Sequence, residues 1–547
     1  MPSGILETPA KNSVPVPPQQ LRPRRSIAVW VIPIVYVGAS LFGLWWMGVS
    51  PSSLQDGFGD IGRLLSRMVP PTTGAVPDLL TLLVQTLLIA IAGTGLATIA
   101  SIPLAAAASS RFTGPRVVQW AARLVIVLTR AVPTLIFAII FVRIFGLGPM
   151  AGGLAVAFHS VGMIGKLMTD IFEEQDATAS EAVSATGASR LRTFVATTFS
   201  RALPSITGVV LYRLDINIRA SAILGIVGAG GIGVALQTAI GSLNYPRAAG
   251  IVLVIIAVLL ILEVVSVRLQ VKLSEHARES SRSQLFVPGH AVHQPDWDRA
   301  RVVRTVLGSS ALLVFLYALW SLEADLERIS RSLPSAVELV TGMFPPEFST
   351  AIFLGVFESV LMAVTATTVG VLIGLVIAVL STDLLVRITP LAIGLRGLTV
   401  LMRGIPDIIY ALIFVAALGL GPFAGFLALS ISCTALAAKF FTDSLQNLNP
   451  APLKALEATG ASRLQVFISG VWPQFVPSFL GNSLFTSDLA LRESAVLGIV
   501  GAGGIGFLLH ESVATLSYET TSAILISLIV VVLAIESAAR WIRSRVL

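Results

Sequence analysis

Two stretches reading LGIVGAGGIG, starting at Leu224 and Leu497, each contain G-x-G-x-x-G, the spacing of a dinucleotide-binding turn. The glycines are Gly228, Gly230 and Gly233, then Gly501, Gly503 and Gly506, with Gly231 and Gly504 beside them. In a dinucleotide site such glycines let the backbone approach a pyrophosphate, and an acid about 20 residues on holds the ribose. Here an apolar helical run precedes each set. The positions about 20 on fall in IVLVIIAVLL and ISLIVVVLA, which contain no acid. The remaining chemistry is that of the backbone: close approach of helices, or an irregular turn bordering a water-filled route through lipid. These glycines are read as gate and packing elements.

Ionisable residues inside apolar runs are the other candidates, because charge is costly there. Arg130 and Arg403 each stand three residues before a proline, Pro133 and Pro406. A guanidinium grips phosphoryl oxygens in bidentate fashion; its bland role is to snorkel to headgroups or cap a helix. Asp215 with Arg219, and Asp488 with Arg492, are spaced i, i+4 with the acid first, which suits an intrahelical pair. A place beside a substrate pathway is their alternative. Lys166 with Asp170 and Lys439 with Asp443 have the same form, and His159 has Ser432 as its counterpart.

No nucleophile, base and orienting group stand together, and no His, Asp and Glu set has metal-ligand spacing. A single cysteine, Cys433, excludes an intrachain disulfide and a cysteine-rich metal site. GMIGKLM around Lys166 lacks the first glycine and the Ser/Thr of a P-loop. The chain is therefore expected to be no enzyme and to bind neither metal nor cofactor.

The elements that position these residues are membrane helices. Of 547 residues 55% are hydrophobic and 12% charged, with mean hydropathy +0.86; soluble domains carry about 25% charge. Apolar runs of about 20 residues span lipid as helices, and barrel alternation is absent, so the class is all-α integral membrane. Net charge is +7, yet the basic residues cluster between runs (Arg22, Arg24, Arg25; Arg111, Arg116; Arg268, Lys272), the positive-inside pattern and not a nucleic-acid stripe. Residues 1–25 read as a disordered cytoplasmic segment leading into an anchor, not a cleaved leader. Spans are expected at 27–48, 79–108, 117–145, 150–170, 205–223 and 247–270, with both termini and the linker 271–302 cytoplasmic.

A second set of spans follows from an internal repeat. SAILGIVGAGGIG at Ser221 and SAVLGIVGAGGIG at Ser494 lie 273 residues apart, and the same offset relates TGASRL at Thr186 to Thr459, and GLGP at Gly146 to Gly419. Units 26–270 and 303–547 are thus parallel repeats, about 12 transmembrane helices in two sets of six.

Between spans four and five the first unit reads EAVSATGASRLRTFVATTFSRALP, from Glu181 to Pro204. It resembles the E-A-A-x-x-x-G…L-P loop of binding-protein-dependent ABC importer permeases, with Glu181, Ala182 and Gly187 matching. The resemblance implies a type I importer permease fold and a coupling helix that docks on a separate ATPase. In the second unit, KALEATGASRLQVFISGVWPQFVP puts Lys454 where Glu181 stands, keeps Ala455 and Gly460, and has Glu457 one turn away. The glycine segments with TRAVP and MRGIP look most like the phosphonate/phosphate-ester branch. That implies two copies of a cytoplasmic ABC ATPase subunit carrying ATP and Mg, an extracytoplasmic phosphonate/phosphate-binding protein, and a multi-pass place in the cell membrane among its lipids. The rival reading is an ion-coupled secondary transporter with parallel repeats, which leaves both loops unexplained; a membrane-bound dehydrogenase is more distant.

Overall fold

A computed structural model describes residues 28–112, 115–283, 299–324, 326–382, 384–385 and 388–546. The first half runs α1 (Ala28–Trp46), α2 (Pro51–Arg67), α3 (Val76–Ala108), α4 (Arg116–Ala131), α5 (Thr134–Phe145), α6 (Pro149–Glu174), α7 (Thr178–Ala185), α8 (Arg190–Thr193), α9 (Ser200–Leu224), α10 (Ile232–Gly241) and α11 (Tyr245–Ser283). The second half repeats the order. It comprises α12 (Arg299–Trp320), α13 (Leu326–Gly342), α14 (Thr350–Ser381), α15 (Thr389–Gly404), α16 (Asp407–Leu418), α17 (Pro422–Gln446), α18 (Pro450–Ala458), α19 (Arg463–Val466), α20 (Trp472–Gly498), α21 (Gly504–Ala514) and α22 (Tyr518–Val546).

Eight of these helices are long and apolar enough to cross a membrane, or up to 11 if each sharply bent pair is one span. The twelfth position belongs to α20, the counterpart of α9, which carries Asp488, Arg492 and Glu493. Two expected straight spans are broken: α4 and α5 meet at 92°, α15 and α16 at 83°. The cause is local. Pro133 and Pro406 have no N–H to donate and push the residue before them out of the α region; Val132 sits at φ −93°, ψ 121° and Ile405 at φ −89°, ψ 120°.

At the two ends of the expected linker 271–302, α11 continues to Ser283 and α12 begins at Arg299. Residues 284–298 and the expected disordered segment 1–25 lie outside the described residues.

Each half is built around one tight helix pair, α3 with α6 and α14 with α17. Small residues make the approach possible. A Cβ on Gly93 would lie 2.6 Å from Val156, and one on Gly370 would lie 2.4 Å from Cys433. The first helices are exchanged between halves: α1 packs on α14, α12 packs on α3, α2 on α16 and α13 on α5. Tyr36 Oη donates to Ser487 Oγ at 2.9 Å, and Ser40 Oγ lies 2.6 Å from Thr368 Oγ1. The two repeats are therefore interlocked as well as joined.

Candidate functional site

Both coupling-type loops fold as short helices with nothing buried: α7 carries Glu181 and Ala182, α18 carries Lys454, Ala455 and Glu457. Each ends in a left-handed glycine, Gly187 at φ +79° and Gly460 at φ +80°, the usual way to stop a helix without a Cβ clash. The caps differ. Asp176 accepts from the backbone N and the hydroxyl of Thr178, which hold its carboxylate below the ordinary aspartate range. In the second half the amide oxygen of Asn449 accepts from Ala451 N at 3.0 Å.

Beyond each helix lies an apolar patch that sequence reading passed over. Leu191 is 62% exposed and Val195 48%; their counterparts Leu464 and Ile468 are 57% and 58% exposed. The signal was there, as apolar residues at i, i+4 at the same place in both repeats.

The intramembrane charges gather at the seam between halves. Arg130 and Arg403 close the last turns of α4 and α15, where a cation suits the helix dipole. Each then reaches an acid on the final helix of the other half. Arg403 Nη2 is 2.9 Å from Glu263 Oε1, and Arg130 Nη2 is 3.7 Å from Glu536 Oε1. Arg219 pairs with Asp215 at 3.0 Å and with Glu263 at 3.6 Å; Arg492 pairs with Asp488 at 2.9 Å. Two neutral four-charge clusters result: Asp215, Arg219, Glu263, Arg403, and Asp488, Arg492, Glu536, Arg130. Glu263 and Glu536 escaped sequence analysis, although each is an acid near the end of an apolar run and the pair obeys the 273-residue offset. Lys166 with Asp170, and Lys439 with Asp443, form the expected pairs elsewhere.

The glycine segments make a pinned turn between α9 and α10, and between α20 and α21. Gly231 at φ +79° and Gly504 at φ +70° adopt a conformation that suits only glycine. Donors that a pyrophosphate would need are already taken by α3 and α14. Gly231 N donates to Gln85 Oε1 at 2.8 Å and Ile232 N to Thr86 Oγ1 at 2.9 Å; Gly504 N donates to Glu358 Oε2 and Ile505 N to Ser359 Oγ, both at 2.9 Å. The turn is also tied to GLGP, through Gly148 N to Gly228 O at 3.0 Å and Gly421 N to Gly501 O at 2.9 Å. Gly233 and Gly506 serve close approach, since a Cβ would meet Ala222 O at 2.7 Å and Ala495 O at 1.9 Å.

Comparison with known proteins agrees with this geometry. The family described as "Binding-protein-dependent transport system inner membrane component" matches residues 101–279 and again 370–547. The chain belongs to this family. It is 37% identical over 512 residues to the "Phosphate-import permease protein PhnE" of Mycolicibacterium smegmatis, covering 93% of each chain. It is 34% identical over 233 residues to the "Phosphite transport system permease protein PtxC" of Stutzerimonas stutzeri, covering 42% of this chain and 85% of that relative. A relative that fills less than half of this chain is what a one-unit permease looks like beside a two-unit one.

Tandem fusion lets this transport permease differ at positions that a homodimer keeps identical, and it does so at the two helix bends. His159 Nδ1 donates at 2.9 Å to Val132 O, a carbonyl freed by the break at Pro133. At the equivalent place in the second half, Ser432 donates its hydroxyl to Asp407, and Glu493 comes within hydrogen-bonding reach of Asp407 as well. His159 is thus a fixed hydrogen-bond donor to the bend.

Proposed function

We propose that this permease is the membrane-spanning subunit of an ATP-driven importer for a phosphorus oxyanion: phosphonate, phosphate or phosphite. The observation that carries the reading is similarity to a phosphate-import permease along 93% of both chains. The two unburied helices α7 and α18 support a pair of cytoplasmic ATPase subunits, which would hold ATP and Mg and do the hydrolysis. Neither helix has a fully buried residue, although Leu453 of α18 packs against the core beside it, and the exposed remainder is surface that a partner groove would cover. On this reading the coupling helices and both termini are cytoplasmic. An extracytoplasmic binding protein delivers the anion to the opposite face, and the two interlocked bundles rock about the seam where the charged clusters lie.

The test is reconstitution. The full chain with its ATPase and binding protein, in proteoliposomes, should take up labelled phosphate, methylphosphonate or phosphite only when ATP is supplied with the ATPase. Uptake by the chain alone, driven by an ion gradient, would replace this reading with the secondary transporter. ATP-driven uptake confined to a substrate without phosphorus would overturn the substrate class alone.

A further inference from the structure

Two amphipathic helices, α2 and α13, carry an apolar stripe that the described residues leave uncovered. On α13, Leu333, Val337 and Val340 are spaced i, i+4, i+7, and Phe344 follows just past the helix end; each has more than half of its surface exposed. That spacing puts the three on one face. Arg331, Ser335 and Glu338, exposed as well, form a polar stripe on the opposite face. The buried side, Ser332 and Leu339, lies between the two. α2 has the same three sides. Phe58 and Leu65 are exposed, with Val69 just past the end; Asp56, Arg63 and Arg67 are exposed opposite them; Gly57 and Leu64 are buried.

The spans around these helices fix their depth. α3 follows α2 and α14 follows α13, with 33 and 32 residues, roughly 50 Å at 1.5 Å per residue. The far end of α3 lies on the α7 side, where Ser110 N donates at 3.0 Å to Glu173 Oε1 in the last turn of α6. α2 is therefore separated from α7 by a full bilayer, about 40–45 Å with headgroups, and its counterpart α13 from α18. Aromatic side chains mark the same level. Trp45 and Trp46 end α1, Tyr317 and Trp320 end α12, and all four are exposed; Trp and Tyr collect where a bilayer meets water. The turn out of α1 is 64°, so α2 runs along that boundary more than through it.

Charge narrows the occupant further. Each helix is neutral in sequence: Asp56 and Asp60 stand against Arg63 and Arg67 in α2, Glu327 and Glu338 against Arg328 and Arg331 in α13. Attraction to an anionic partner is thus weak, and burial of the apolar stripe is the drive that remains. The stripes also continue the exposed apolar surface of the preceding spans, Leu41 and Trp45 on α1 and Leu313 and Leu316 on α12, which faces lipid. We propose that α2 and α13 are interfacial helices in the headgroup layer opposite α7 and α18, with Phe58, Leu65, Leu333, Val337 and Val340 dipped among the acyl chains. Their buried sides give this placement a consequence. α2 packs on α16 and α13 on α5, and a Cβ on Gly57 would lie 3.2 Å from Leu418 at the end of α16. Each interfacial helix thus moors the bent half-helix of the opposite unit to the bilayer surface. Neither the substrate nor an ATPase enters into this placement.

The test uses the full chain in phosphatidylcholine nanodiscs, carrying single nitroxide labels; the parent, whose one cysteine Cys433 is buried, gives the background signal. Collision with oxygen, which concentrates in lipid, is compared with collision with a water-soluble nickel chelate. Labels at Leu65→Cys, Val337→Cys and Val340→Cys should favour oxygen about fivefold or more over labels at Arg63→Cys, Ser335→Cys and Glu338→Cys. All six positions are exposed, so the labels displace no packed side chain. Replacing about a third of the lipid by phosphatidylglycerol should leave the contrast within twofold. Labels of both stripes equally open to the chelate would overturn the proposal, whether or not ATP-driven uptake is found. So would stripe labels that face water until an extracytoplasmic binding protein is added and are then shielded from both probes, a result that would give the surface to that protein.

Discussion

Arg403 on α15 crosses from the second half to the first and sets its Nη2 2.9 Å from Oε1 of Glu263 on α11. Glu263 also receives Arg219 of its own repeat at 3.6 Å, while Arg403 pairs only across the seam among the described residues. The bond exists because Pro406 breaks the span just after Arg403, turning the end of α15 toward the seam. It is partly buried, with side-chain exposures of 25% and 16%, so removing one partner strands a charge, at a cost of about 3–5 kcal/mol in buried pairs; the residual exposure places this one at or below the lower end. Glu263→Gln should lower the thermal midpoint of the purified chain by several degrees, and Arg403→Gln by a similar amount. The double variant should lose clearly less than the sum of the two. Additive losses would mean that the pair is not coupled.

At the surface proposed to meet the ATPase, the exposed leucines should matter more than the charges. Leu191 and Leu464 stand beside α7 and α18 with more than half their surface in contact with no other part of the chain. Apolar anchors that enter a partner pocket commonly carry 1 kcal/mol or more of the binding energy, whereas rim charges carry little. Leu191→Asp or Leu464→Asp should therefore weaken recovery of the ATPase about tenfold in co-purification. Glu181→Lys and Lys454→Glu should change it less than threefold at 0.15 M salt.

How far this was legible varies by feature. The repeat and the helical class follow from spacing and composition, because the features that make them are local or recur at one offset, and the resemblance to the E-A-A loop pointed to the short helices α7 and α18. Glu263 and Glu536 did not stand out, because an acid in an apolar run announces cost but not which helix supplies its partner. Exchange of α1 and α12 was also hidden, since two near-identical units give no sequence preference for packing on one's own copy or the other. The prolines marked the break in span three, but the 92° and 83° bends depend on what α4, α5, α15 and α16 pack against.

Acid should loosen the start of α7 and spare that of α18. The carboxylate of Asp176 accepts two hydrogen bonds from Thr178 and is held below its ordinary range of about 3.8. A depressed carboxylate contributes to local stability fully above its unfolded value and loses that contribution as pH falls through the folded one. The Asp176–Thr178 bonds ahead of α7 should thus be intact at neutral pH and be lost only as pH falls below the ordinary aspartate value, whereas the amide cap at Asn449 does not titrate. Spin labels placed on α7 and α18 should report rising mobility of α7 alone over that interval. Asp176→Asn should abolish the pH dependence.

The glycine turns offer a graded test, because the two copies are not equally tight. A Cβ at Gly233 would fall 2.7 Å from Ala222 O, and one at Gly506 would fall 1.9 Å from Ala495 O. Both obstacles are backbone, which cannot swing aside as a side chain does. Overpacking of this sort costs about 1–3 kcal/mol, so Gly233→Ala should lower the thermal midpoint measurably and Gly506→Ala should lower it further. Gly241 is the control: nothing lies within 4 Å of a Cβ built there. Gly241→Ala should leave the midpoint unchanged or raise it slightly, since alanine favours the helix. If Gly233→Ala and Gly506→Ala were as well tolerated as Gly241→Ala, the turns would not be held by close backbone packing.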